Sequence, residues 1–226
     1  MTSRVALILG AGSNVGANVA KAFRAKGYKV ALASRTQKPE NSTTDELYIP
    51  ADCGDTDAVS RAFEKVRSVF GQPNVVIYNA YAGVNNNPKD VFEVPLDFFK
   101  KAAAVNIFGA YAAAQEAVKG WQEIPSSSKP TFIFTGNCAN VAPQPVIMTL
   151  GVGKAGAAAF MEVAATAYKD KGYKFYYADE RLKDGTPMWT GLSGEGHAKM
   201  YTELAEGIEQ LEWYQTFVTG IGYVKF

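Results

Sequence analysis

Three glycines set between an apolar run and a helical pattern are the residues best suited to chemistry in this chain, and the chemistry is phosphate binding. Arg4–Leu9 reads Arg-Val-Ala-Leu-Ile-Leu, then comes Gly10-Ala-Gly-Ser-Asn-Val-Gly16. Glycines let a backbone turn sharply and approach a ligand, and the N–H groups opening the next helix have no internal acceptor and point at an anion. A nucleotide is the expected ligand. The glycines fall at 10, 12 and 16, one position later at the end than the standard dinucleotide spacing.

The pattern around this loop alternates strands and helices. Expected strands are Arg4–Leu9, Lys29–Ser34, Glu46–Pro50, Asn74–Tyr78, Thr131–Thr135, Tyr173–Tyr177 and Phe217–Ile221. Expected helices are Asn14–Lys26 closed by Gly27, Asp55–Phe70 capped by Asp55 or Thr56 and ended by Gly71, Leu96–Trp121, Ile147–Lys171, and Ser193–Leu211 with Leu204, Ile208 and Leu211 on one side. Such alternation predicts an α/β Rossmann-like, doubly wound parallel sheet with helices on both faces, in one domain spanning residues 1–226. Ser126–Pro130 reads as a surface turn.

Composition narrows the function classes. With 23 basic and 22 acidic residues the formal charge is +1, so no nucleic-acid partner is expected. Cys53 and Cys138 make no disulfide framework and, with the single His197, no metal site is expected. The N-terminal apolar run is too short for a signal peptide, no stretch approaches a membrane span, and a cytoplasmic protein is expected.

The loop resembles that of the short-chain dehydrogenase/reductase family, which has glycine, three variable residues, glycine, a branched apolar residue and glycine. Gly10, Val15 and Gly16 match. Asn14 stands at the middle glycine, and its tolerance of left-handed angles would preserve the turn. Further marks follow in order. Asp52, in Ala51-Asp-Cys53, matches the acid that holds the adenine amino group. Asn79-Ala80 follows the fourth strand, with Tyr81 in place of the family's glycine. Asn106 matches the helical asparagine that supports a water relay, and Lys154 the catalytic lysine that holds the nicotinamide ribose. The resemblance covers residues 4–178 and implies a nicotinamide cofactor lying along Gly10, Gly12, Ser13, Asn14, Val15, Gly16, Asp52, Cys53, Asn79, Ala80 and Lys154. An acid after the second strand would repel a 2′-phosphate, whereas Ser34-Arg35-Thr36 offers a guanidinium and two hydroxyls. NADP(H) is therefore expected over NAD(H).

One departure bears on the reaction. The family's tyrosine, four residues before the lysine, gives a proton to the substrate oxygen, and here that residue is Leu150. The orienting serine is replaced by Asn137 or Cys138. The candidate catalytic set is thus Lys154, Asn106, Asn137, Cys138 and Tyr81, while His197, one turn before Tyr201, reads as an exposed helix position, with an acid or a substrate contact as the alternatives. After the sixth strand the family's Pro-Gly is replaced by Ala178-Asp-Glu-Arg181.

Three functions are compatible with this pattern. The first is an NADP(H)-dependent oxidoreductase with a non-standard proton donor, acting on a small, apolar carbonyl or enone. The second is a catalytically retired NADP(H) sensor or scaffold, and the third a non-redox isomerase or dehydratase on the same fold. The substrate is expected between Tyr81–Pro95, Asn140–Thr149 and Glu180–Gly196, with 179–216 as a lid. Two alanine-rich helices predict a homodimer or homotetramer. The aromatic C-terminal stretch is expected to pack on the core or across a subunit boundary.

Overall fold

The computed structural model describes residues 4–226. Its centre is one sheet of eight strands in the order β3-β2-β1-β4-β5-β6-β7-β8. These are β1 (Val5–Leu9), β2 (Lys29–Ser34), β3 (Glu46–Pro50), β4 (Val75–Tyr78), β5 (Thr131–Thr135), β6 (Lys174–Glu180), β7 (Tyr214–Val218) and β8 (Gly222–Tyr223). All pairings are parallel except β7 with β8. The order reverses beside β1, so the crevice outside the carboxyl ends of β1 and β4 is the natural ligand site.

Side chains alternate across this sheet. Val5, Leu7 and Leu9 of β1 join one apolar core, and Ala6 and Ile8 the other. Burial on both faces explains why β1 and β4 read as unbroken apolar runs. The first core is covered by α2 (Thr56–Phe70), α4 (Ala110–Trp121) and α5 (Met148–Ala167), the second by α1 (Val15–Ala25) and α6 (Gly194–Glu206). Asp55 caps α2 by accepting from Asp57 N. Lys174 is buried, and its Nζ caps the end of α6 by donating to the carbonyls of Leu204, Ala205 and Gly207.

The structure corrects several element boundaries. Leu96–Trp121 is not one α-helix: α3 (Leu96–Ala103) and α4 are joined by a π-helical segment, Ala104–Gly109. Tyr78 Oη donates to the Val105 carbonyl at 2.5 Å within that segment. Gly109 is required beside it, because a Cβ there would lie 1.9 Å from the Cys53 carbonyl oxygen. Strand β6 runs on past Tyr177 to Glu180, burying Asp179 and Glu180. Helix α6 stops at Glu206, and Ile208 and Leu211 are exposed rather than on a buried stripe. The strand expected at Phe217–Ile221 is β7, which begins at Tyr214 and ends at Val218, with Phe217 packed in the core.

The expectation that no stretch approaches a membrane span also needs correction. Pro145–Ala167 is long and apolar enough by length and composition, with a mean hydropathy of 1.4. Its alanines and glycines serve close packing on the sheet: Ala157, Ala158, Met161 and Ala165 are buried in the first core.

Candidate active site

The glycine loop is built to admit a phosphate. Gly10 has φ +82°, and a Cβ on it would lie 2.3 Å from Ala80 N. No other residue type fits between β1 and the exit of β4. Gly16 is also tightly packed, a Cβ on it lying 2.8 Å from Ala11 Cα, whereas Gly12 faces open space. The loop is tied down by Asn79 Nδ2 donating to the Gly10 carbonyl at 2.8 Å and by Gln37 Nε2 donating to the Ala11 carbonyl at 3.0 Å. Asn14 has φ −98°, so the left-handed geometry anticipated for it is not used. The middle glycine can be replaced because the chain there keeps negative φ. Asn14 instead donates through Nδ2 to the Leu192 carbonyl at 2.9 Å, joining the loop to the segment before α6.

The groups expected around an adenosine half lie beside this loop. Ser34 Oγ and Thr36 Oγ1 are 3.5 Å apart. Arg35 is exposed and joins no ion pair among the described residues. Asp52 accepts from Gly54 N, and buried Cys53 lies within the electrostatic reach of both Asp52 and Arg35. Burial pushes the Cys53 thiol up to about 12, so it is inert. A cradle that excludes Cβ atoms, open space over Gly12, a helix N-terminus and an uncommitted guanidinium together fit a phosphorylated dinucleotide.

Beyond the loop, three aromatic rings stack across the sheet. Tyr78, Phe134 and Tyr177 are in register on β4, β5 and β6, with centroids 5.7 and 5.6 Å apart. Lys154 Nζ sits 4.6 Å above the Phe134 ring and donates to the Thr135 carbonyl at 2.6 Å. Burial lowers its ammonium to about 7, partly offset by the charge of Asp179. A lysine that titrates near neutrality can deliver and recover a proton at working pH.

The remaining candidates fall into place around it. Asn106, fully buried on the π segment, donates to the Ala82 carbonyl at 2.5 Å and accepts from Ala82 N at 3.0 Å. In this arrangement it is a backbone plug holding the exit of β4, and Gly153 is needed against it because a Cβ would lie 2.4 Å from Asn106 Cβ. Asn137 accepts from Ala139 N and caps a single 3₁₀ turn, Cys138–Asn140. Cys138 is fully buried, and burial pushes its thiol up to about 11. Tyr81 is 71% exposed. Leu150 lies one turn before Lys154, with Gly83 across from it.

His197 is not an exposed helix position: it is 1% exposed, its ring edge-on to Tyr201 and Phe217. Its Nδ1 lies 2.8 Å from the Ser193 carbonyl and 3.5 Å from Glu180 Oε2, and burial lowers its titration so that it stays neutral. Glu180 accepts from Ser193 N and Thr219 Oγ1. These bonds fix the start of α6 and, through Leu192, the glycine loop. Of residues 179–216, the first two end β6, 194–206 form α6 and the last three lie in β7, leaving 181–193 and 207–213 as the connecting segments.

Reasoning from sequence missed a buried polar cluster on the same sheet face as Lys154. Asp179 Oδ2 accepts from Arg181 Nε at 2.7 Å and from Tyr214 Oη at 2.8 Å. Arg181 also donates to Tyr214 Oη at 3.0 Å, and Tyr214 Oη lies 3.2 Å from Asn140 Oδ1. The signal was the charged triplet Asp-Glu-Arg closing an apolar strand.

An open groove of about 330 Å³ runs between Val84–Asn87 and Glu93–Phe98. Asn86 pins its rim by accepting from Thr149 N at the start of α5. Among the described residues no cluster of His, Cys, Asp or Glu could hold a metal.

Comparison with known proteins agrees with this fold. A short chain dehydrogenase/reductase, dmxR12, from Cryptosporiopsis sp. (strain 8999) is 42% identical over 237 aligned positions, covering 100% of this chain and 96% of that protein. A metagenomic short-chain oxidoreductase solved with NADP superposes with a TM-score of 0.82 at 16% identity, covering 98% of this chain and 99% of the other. A Brucella melitensis 3-ketoacyl-(acyl-carrier-protein) reductase solved with NADH gives 0.78 at 19% identity, covering 96% and 97%. The family model described as short chain dehydrogenase matches residues 4–178, and the chain belongs to that family.

Proposed function

We propose that this chain is an NADP(H)-dependent oxidoreductase that reduces a small, apolar carbonyl or enone, with Lys154 as the proton donor. The observation that carries the reading is the buried Lys154 on the Tyr78–Phe134–Tyr177 floor, one turn from a leucine that has no proton to give. The reduced nicotinamide, when bound, supplies a hydride to the electrophilic carbon. Lys154 Nζ–H gives its proton to the developing oxyanion, or to the enolate in an enone, and the amine left behind takes a proton from water. Cys138 is too deeply buried for this role, and the Tyr81 hydroxyl is too exposed to be held in place.

Gly10, Gly12, Ser13, Asn14, Val15 and Gly16 take the pyrophosphate in this assignment. Ser34, Arg35 and Thr36 take the 2′-phosphate, Asp52 and Cys53 flank the adenine, and Asn79, Ala80 and Lys154 face the nicotinamide ribose. Asn106 holds the backbone below the substrate, and Asn137 contacts its oxygen. The segment 181–193, between β6 and α6, supplies the cover in this assignment, with Met188 and Trp189 on it. The exposed Phe108, Tyr111, Val152 and Val163 on the alanine-rich helices support a homodimer or homotetramer, and two free buried thiols suit a cytoplasmic setting.

The test is NADPH oxidation followed by absorbance across a panel of aromatic ketones, quinones and enones. Reduction is expected for at least one apolar member. The rate should fall as pH rises past about 7, because Lys154 must be protonated to act as the acid. Silence across the panel, with the cofactor bound, would defeat the proposal.

A further inference from the structure

Position 150 is a leucine with no proton to give, and the end of β6 carries a buried carboxylate, Asp179. Both lie at the carboxyl edge of the sheet, and Asp179 is on the Lys154 face: Tyr177, two residues before it, stacks on Phe134, over which Lys154 sits. Asp179 is 1% exposed. One of its oxygens is saturated by Arg181 and Tyr214, and the other, Oδ1, is buried with no hydrogen-bond partner among the described residues.

A buried carboxylate oxygen without a donor is costly, and such groups are kept where a function uses them. We propose that Asp179 is a positioning residue for the proton donor: its carboxylate, held by Arg181 and Tyr214 with one oxygen left unpaired, is the fixed negative charge on the sheet face over which the Lys154 amine lies, in a site where position 150 has no acid.

The surroundings admit few other influences. Around Lys154 are the Phe134 ring and Thr135 carbonyl from β5 and neutral Asn106 packed on the adjoining Gly153, while Asp179, on the neighbouring strand β6, makes no ion pair with it within 4.0 Å and acts through its charge. Around Asp179 are Arg181 on the same strand exit, Tyr214 from β7, Tyr177, Tyr201 and the Cys138 thiol. Glu180 is committed to Ser193 and Thr219 in the His197 cluster. Burial raises the Asp179 carboxyl, while the guanidinium and the Tyr214 hydroxyl pull it back down and favour its ionised form. Arg181 and Tyr214 therefore act on Lys154 through Asp179.

This inference rests on Lys154 being the acid of a reductase site, but its test needs neither cofactor nor substrate. In ¹³C-lysine-labelled, cofactor-free protein, the Lys154 ¹³Cε resonance is assigned as the one lost in Lys154→Met and followed against pH. The wild-type midpoint should lie near 7. Asp179→Asn should lower it by about one pH unit or more, and Asp179→Glu should restore it. Where Asp179→Asn does not fold, the reciprocal arm applies: in ¹³C-aspartate-labelled protein, Lys154→Met should raise the midpoint of the Asp179 carboxyl, since coupled sites shift one another. A Lys154 midpoint unmoved in Asp179→Asn, or an Asp179 midpoint unmoved in Lys154→Met, would overturn the inference. Coupled titrations in a chain that reduces nothing would support it while sinking only the reductase reading.

Discussion

Replacing Lys154 with methionine should cut NADPH-dependent turnover by about 10²–10⁴-fold at pH 7, the usual worth of a positioned general acid. Methionine fills the same buried volume without a charge, so folding should survive, and loss of a desolvated ammonium relieves the interior. The lysine also faces the ribose in our assignment, so NADPH should bind more weakly by about tenfold, one charge-assisted hydrogen bond. The two effects separate when turnover is read at saturating NADPH, where only the missing proton remains. The alkaline fall seen in the wild type should vanish with it. A variant that keeps wild-type kcat and pH profile would place the acid elsewhere, with Tyr81 the next candidate.

The second large effect comes from giving the chain the phenol it lacks. Leu150→Tyr places a hydroxyl one turn before Lys154, at a position that is only partly buried and packs on a glycine, Gly83. The gain should be strongly pH-dependent. At pH 9 a lysine that titrates near 7 is about 1% ammonium, whereas a phenol of ordinary acidity is about 90% protonated. Turnover at pH 9 should rise on the order of 10²-fold, with little gain at pH 6, where the lysine is already charged. Equal gain at both pH values would show that the phenol improves packing or binding, and no gain at pH 9 would show that protonation does not limit the native reaction.

Much of the scaffold could be read from residue types because local and global preferences agree. β2, β3 and β5 were bounded correctly since their apolar runs end at turn residues, and the Asp55 cap and Gly71 stop of α2 follow from capping chemistry. The glycine loop was legible because only glycine tolerates the approach of Ala80 to Gly10. What was illegible depends on tertiary contact. A π segment has no composition of its own, and its contacts here, Tyr78 from β4 and the Cys53 carbonyl from the loop after β3, are both distant in sequence. His197 looked exposed because its neighbours Glu195 and Lys199 are polar, yet burial came from Phe217 and Tyr201, one of them distant in sequence. Asp179 and Arg181 gave no periodic signal, and Tyr214 reaches them from β7, 33 residues beyond Arg181.

The account stands on a pyridine dinucleotide lying across the Gly10–Gly16 turn with its 2′-phosphate at Arg35. Calorimetric titration of the purified chain with NADPH and NADH, repeated on Arg35→Ala, measures this directly. NADPH should bind about 10–100-fold more tightly than NADH, the worth of a guanidinium–phosphate pair, and Arg35→Ala should erase the difference while leaving NADH affinity unchanged. Equal affinities in the unaltered chain would remove the 2′-phosphate assignment, and no heat with either nucleotide at millimolar concentration would contradict the account as a whole.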